Sequence, residues 1–159
     1  MLIIVMAAVV APSFSGFFPG LKVQKAGETF MATCVKARTD AVLTLRRHRI
    51  MVVSSPADGS ETPYYYLAFE ADPLREPGSF RKLSGAWGQP EELPTDVALE
   101  ALEGALDDTT SKEKYFEFKP DGTATEAAVT FAHPKGDRVT VKVAGTTGRV
   151  TLEEATEQP

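Results

Sequence analysis

The sequence holds few of the side chains from which catalytic or metal centres are built. Among 159 residues there are one cysteine, two histidines and one tryptophan. A lone Cys34 excludes an internal disulfide and a multi-cysteine metal site, and its apolar neighbours at helical spacing make it a buried structural thiol. His48 falls at the end of a helical stretch and His133 in a turn. Neither has a ligand partner at metal-binding spacing, so both read as surface histidines. The chain lacks a Gly-x-Ser-x-Gly elbow, a phosphate-binding Walker loop and a dinucleotide fingerprint. Asp107-Asp108 reads as a solvated acidic pair rather than a calcium site. These absences point to no catalytic residue, no cofactor, no metal and no small-molecule substrate.

Positive charge is missing from the start of the chain and gathered just after it. No Lys or Arg precedes Lys22. Residues 1–50 carry seven basic and two acidic side chains, whereas the other 109 residues carry ten basic and twenty acidic ones. A basic stem and an acidic head thus share one chain, which suits head-to-stem packing between copies or partners. The basic residues lack interleaved aromatics, which argues against nucleic acid.

What is present at the N-terminus is an uninterrupted apolar run, Leu2–Ala11. As a helix it would span about 15 Å, half of a hydrocarbon core of about 30 Å. On its residues alone the run has several readings. It is a signal-peptide core, a buried strand or helix, or the distal half of a longer membrane helix kinked at Pro12. Against signal cleavage stand the missing basic flank and Pro12 at the expected cleavage position.

Residues 28–48 have a helical period. Phe30, Cys34, Ala37, Ala41 and Leu45 form one stripe with Met31, Val35 and Val42 alongside, and Thr33, Lys36, Asp40, Thr44 and Arg47 oppose it. Arg46, Arg47 and Arg49 crowd the expected C-terminus, where the helix dipole favours cations. From Ile50 the period is two. Strands are expected at Ile50–Ser54 and Tyr64–Phe69, joined by a turn at Pro56-Ala57-Asp58-Gly59. Residues 72–95 form a Pro/Gly-rich excursion with an edge strand at Phe80–Leu83, and a further strand begins at Val97 and Leu99. Four short strands around Phe116/Phe118, Val129/Phe131, Val139/Val141/Val143 and Val150/Leu152 are expected to form an antiparallel meander. Core packing accounts for Tyr64-Tyr65-Tyr66, because alternation buries at least one of them. The fold class is α+β, with an N-terminal hydrophobic and amphipathic helix packed on an antiparallel β-sheet. Phe30, Val35, Ala41, Val42 and Leu45 are the expected helix–sheet contacts. The chain divides into a helix segment over 1–27 and a globular domain over 28–159, its sheet spanning 50–154.

Three segments carry a resemblance to the type IV pilin superfamily, and within it to the H-type minor pseudopilins of type II secretion. Val5–Phe14 resembles the distal half of the pilin membrane helix, with its proline followed by Ser-Phe. Lys36-Ala37-Arg38-Thr39-Asp40-Ala41-Val42 is similar to the family's Ala-Arg-Ser-Glu-Ala-Val stretch. Phe116–Thr123 followed by Thr147-Gly148-Arg149-Val150 resembles the paired C-terminal motifs of that subunit. The resemblance implies a structural subunit assembling through its N-terminal helix to support protein export. The implied partners are other pseudopilin or pilin subunits and inner-membrane lipid, with the globular domain in the periplasm. Leu2, Ile3, Ile4, Val5, Val9, Val10, Pro12 and Phe14 would form the assembly and membrane helix. A minor type IV pilin and a secreted β-rich binding module remain the alternatives. The family's basic leader, its Gly-Phe junction and the glutamate that follows are not in the sequence. The expectation is therefore that Met1 is not the natural start. Gly16, Pro19 and Gly20 are expected to break or bend the helix.

Overall fold

The computed structural model describes residues 17–54, 62–111 and 113–155. Leu2, Ile3, Ile4, Val5, Val9, Val10, Pro12 and Phe14, the turn at 56–59 and the tail from residue 156 lie outside that range. Among the described residues one helix, α1 (Phe17–Thr44), precedes ten strands: β1 (His48–Val53), β2 (Tyr64–Glu70), β3 (Phe80–Lys82), β4 (Glu91–Glu92), β5 (Ala98–Glu103), β6 (Leu106–Asp107), β7 (Lys114–Phe118), β8 (Ala127–Ala132), β9 (Arg138–Val143) and β10 (Val150–Ala155). The α+β class expected from the sequence is the one observed.

Helix α1 is longer at its front and shorter at its end than the 28–48 period implied. It passes unbroken through Pro19, Gly20 and Gly27. It stops at Thr44 because Leu45 turns to a φ of 55°, the left-handed conformation that ends many helices. Arg46, Arg47 and Arg49 therefore do not cap its last turn. Its buried stripe is Val23, Ala26, Phe30, Cys34, Ala37 and Ala41, spaced by threes and fours along one face.

The strands form two antiparallel sheets rather than one. Sheet 1 runs β3-β2-β1-β7-β6, with β4 also on β2, and sheet 2 runs β10-β9-β8-β5. The expected four-strand meander is corrected here. Strand β7 leaves it to pair with β1, setting His48 opposite Phe118 and Ile50 opposite Phe116, and only β8, β9 and β10 run on as a meander. The short pairings of β4 and β6 had no signal in the sequence, since two residues cannot display a period.

Helix α1 lies across both sheets, and Phe30 marks where they meet. Its ring is edge-on to Tyr65 of β2 at 4.9 Å, to Phe116 of β7 at 6.4 Å and to Phe131 of β8 at 5.5 Å. Edge-to-face packing is the favoured geometry for aromatic rings. Ile50, Val52 and Leu67 from sheet 1 join Val129, Val139 and Val141 from sheet 2 in the same core. A smaller apolar cluster of Met51, Val53, Tyr66 and Ala68 lies on the other face of sheet 1, under Tyr64, Phe80 and Tyr115. That second cover explains why β1 reads as an apolar run instead of an alternation.

Candidate assembly surface

The five residues expected between helix and sheet divide into two groups. Phe30 and Ala41 are buried at 1% and 0% exposure, whereas Val35, Val42 and Leu45 are exposed at 46%, 43% and 71%. The placement of these three against the sheet is a correction, and its cause is geometric. At about 100° per residue, Val35 lies about 140° and Val42 about 120° around the helix from Phe30. Leu45 would have faced the core, but the helix has already ended. Thr33, assigned to the polar face, is buried at 5%, and its hydroxyl donates to the Thr29 carbonyl at 3.1 Å. Helix α1 therefore has two apolar sides: a stripe used by its own sheets, and an outward strip of Leu21, Val35, Val42 and Leu43 that they leave uncovered.

The two described sequence motifs, one of them split in two, converge beside that strip. Arg38 of α1 lies against Gly148 in the turn at 144–149, and that glycine also meets the turn at 119–123. Gly148 has a φ of 61°, and a Cβ there would stand 2.4 Å from the Gly122 carbonyl oxygen and 3.0 Å from Arg38 Nε. Both the left-handed backbone and the close approach require glycine. The turns are tied by Ala124 N–H donating to the Gly145 carbonyl at 2.8 Å, and each closes on itself through Gly122 N–H to Lys119 and Gly148 N–H to Ala144. Asp121 accepts from the Thr123 hydroxyl and backbone N–H, which holds its carboxyl below the usual range. These contacts join sheet 1, sheet 2 and α1.

A charged ladder crosses sheet 1. Arg47 forks onto Glu70 and reaches Glu117 at 3.7 Å, and Arg49 donates to Glu117 at 2.9 Å. The Glu70 carboxylate is nearly inaccessible, and the Arg47 hydrogen bond holds it below the ordinary carboxyl value. Arg49 is clamped between the rings of Phe80 at 3.6 Å and Tyr115 at 3.9 Å. Arg47 and Arg49, beyond the helix end, thus link the strands of sheet 1.

The residues screened for chemistry have structural places. Cys34 is fully buried, and burial pushes its thiol far above the ordinary value. His48 is not the surface residue its position implied: it is 2% exposed, its Nδ1 lies 3.0 Å from the Arg46 carbonyl, and burial lowers its pKa. It is drawn inward because β1 begins there, with Phe69 and Phe118 as its cross-strand partners on the same face of the sheet. His133 Nδ1 accepts from Lys135 N–H at 3.1 Å. Tyr65 faces the core and Tyr66 the second cluster, with Tyr64 stacked on it at 6.5 Å. Asp107 pairs with Lys114 at 3.1 Å, and Asp108 caps Thr110 and Ser111. Among the described residues no group of three His, Cys, Asp or Glu could hold a metal ion. Nor is any described helix long and apolar enough to cross a membrane.

No protein-family model matches the chain, and a search of curated proteins finds no match. The structure is similar to that of the minor pseudopilin EpsH from the type II secretion system of Vibrio cholerae. The TM-score is 0.61 over 84% of this chain and 97% of that one, at 11% sequence identity. The helix laid across two antiparallel sheets is thus the fold of a minor pseudopilin.

Proposed function

We propose that the chain is a structural, pseudopilin-like subunit that assembles through its N-terminal helix into a short filament supporting protein export by type II secretion. The observation that carries this reading is the second apolar side of α1. Val35 and Val42 stand seven residues apart on a face that the chain's own sheets leave open, and apolar side chains repeated at that interval suit a neighbouring helix. In the proposal the apolar run Leu2–Ala11 continues the stem into the inner membrane, with Pro12 and Phe14 beyond it, and the sheets face the periplasm. The role is one of scaffolding rather than catalysis, and the partners are other pseudopilin subunits and inner-membrane lipid.

The test places a photoreactive phenylalanine analogue at Val35 or Val42 in the full chain, in cells that carry the secretion system. Cross-links to pilin-like subunits are expected from either position. Val42→Asp with the probe at Val35, or Val35→Asp with the probe at Val42, should abolish them while leaving the melting temperature of the purified chain within a few degrees. Adducts to a soluble ligand or to unrelated proteins alone would overturn the proposal.

A further inference from the structure

Two surfaces of the chain are unused by its own fold, and each is the chemical complement of the other. The first is on α1. Val35, Arg38 and Val42 follow at spacings of three and four, so they share one outward strip. Four stem cations are taken up within the chain: Lys22 by Asp96, Lys36 by Asp40, Arg47 by Glu70 and Arg49 by Glu117. Arg38 has neither an ion pair nor a hydrogen bond among the described residues. Its stem rests against Gly148, so a cation is held in place between two exposed valines.

The second surface is a shallow hollow of about 700 Å³ at one end of sheet 2. Ala128 and Ala144 line it together with Glu103 and Glu126. Neither glutamate has an ion pair or hydrogen bond among the described residues. Two cations also line the hollow. Lys142 is held by Glu153 at 2.6 Å, which leaves Arg149 against two carboxylates. Along β8 and β9, Val129, Phe131, Val139 and Val141 face α1. Ala128 and Lys142 alternate with them and so lie on the opposite side of the sheet. The hollow therefore opens on the face of sheet 2 turned away from α1, and the 144–149 turn, which carries Ala144 and Arg149 into its lining, reaches Arg38 at Gly148.

We infer that the hollow receives the Val35–Arg38–Val42 strip of a second copy of this chain, with Arg38 meeting Glu126 and Glu103. The inference rests on the reading of α1 as an assembly stem. A second copy is the occupant because this one chain supplies both partners: a stem with seven basic and two acidic residues in its first 50, and a head with twenty acidic and ten basic in the rest. A contact between two different patches is heterologous, so copies add head to stem into a ring where the rotation closes and into an open stack where it does not. Salt weakens the contact in either case.

Sedimentation of the full chain in non-ionic detergent tests this, with melting temperatures recorded alongside. The wild type should grow beyond a dimer as concentration rises at low salt and revert to monomer at high salt. Arg38→Glu alone or Glu126→Arg alone should weaken association roughly tenfold or more. An equimolar mixture of the two should associate like the wild type. The glutamate introduced on one variant's strip then meets the arginine introduced in the other's hollow, and the unchanged Arg38 and Glu126 pair as before. A chain that is monomeric at every concentration, an Arg38→Glu variant that associates unchanged, or a mixture that stays monomeric would each overturn the inference. The cellular cross-links separate its failure from that of the assembly role. If α1 still cross-links to pilin-like subunits while the charge variants change nothing, the stem assembles through other partners and the copy-to-copy contact is wrong.

Discussion

At the residue scale, neighbours on α1 give opposite expectations. Ala41 is fully buried beside β1, and Val42 is 43% exposed. Ala41→Asp should cost several kcal/mol, because it buries a charge without a partner. Val42→Asp should fall within about 0.5 kcal/mol of the wild type, as surface changes do. Urea denaturation of both variants checks the phase of the helix; equal losses would mean that α1 is rotated from the position described. His48 gives a second expectation, in pH. Burial lowers its folded pKa, so the unfolded chain takes up this proton first as pH falls. Stability should therefore begin to drop below pH about 6.5, the unperturbed histidine value, and continue to drop until the folded pKa is reached. His48→Leu should flatten the melting curve over that window. Glu70 has a separate window in stronger acid. Its pKa is lowered by Arg47, so its contribution is present above the ordinary carboxyl value and lost as pH falls through the folded one.

At the scale of elements, two glycines of one helix should respond with opposite signs. A Cβ at Gly27 would lie 2.6 Å from Val139 Cγ1, whereas at Gly20 the nearest atom would be an Asp137 carboxylate oxygen at 3.6 Å. Replacing glycine by alanine favours a helix by up to about 1 kcal/mol. At Gly20 that gain stands, so Gly20→Ala should raise the melting temperature. At Gly27 it is opposed by overpacking of about 1–3 kcal/mol against a stiff β-branched side chain, so Gly27→Ala should lower it. The same helix shows what the sequence made legible. Phe30, Cys34, Ala37 and Ala41 were readable as a stripe because threes and fours recur, and β8 and β9 because their alternation is clean. The width of the stripe was not readable. Val35 and Val42 are apolar like the core residues, and only the position of the sheets determines which side is covered. Partnership was equally hidden. Phe116 and Phe118 alternate as Val139 and Val141 do, yet β7 pairs with β1, more than sixty residues earlier. Alternation reports that one face is buried without naming the strand alongside. Of the candidate site, the motif residues Arg38, Gly122 and Gly148 were visible one by one. Their meeting at a single seam depends on how the two sheets are joined, which no local period encodes.

At the scale of the whole molecule, the helix holds the two sheets together, and its front half belongs to the fold it supports. A boundary at residue 28 would leave Val23 and Ala26 outside the domain, yet they are buried at 0% and 4%. Gly27 lies against Val139 of β9 and Leu152 of β10, and Val23 lines a small hollow with Val139 and Ala155. Removing residues 17–27 uncovers this end of sheet 2 and forfeits the burial of Val23, about 1.5–3 kcal/mol for one such side chain. Sheet 1 is less exposed to the loss, because Phe30 still packs on its Tyr65 and Phe116 and its other face has its own cluster. A chain cut to residues 17–159 should unfold in one cooperative transition. A chain cut to 28–159 should have a lower denaturation midpoint, and amide protection should fall first in β9 and β10 while β1 and β2 keep theirs. Equal midpoints for the two fragments would mean that the front of α1 adds nothing to sheet 2. Loss of protection spread evenly over both sheets would mean that the helix does not divide its support between them.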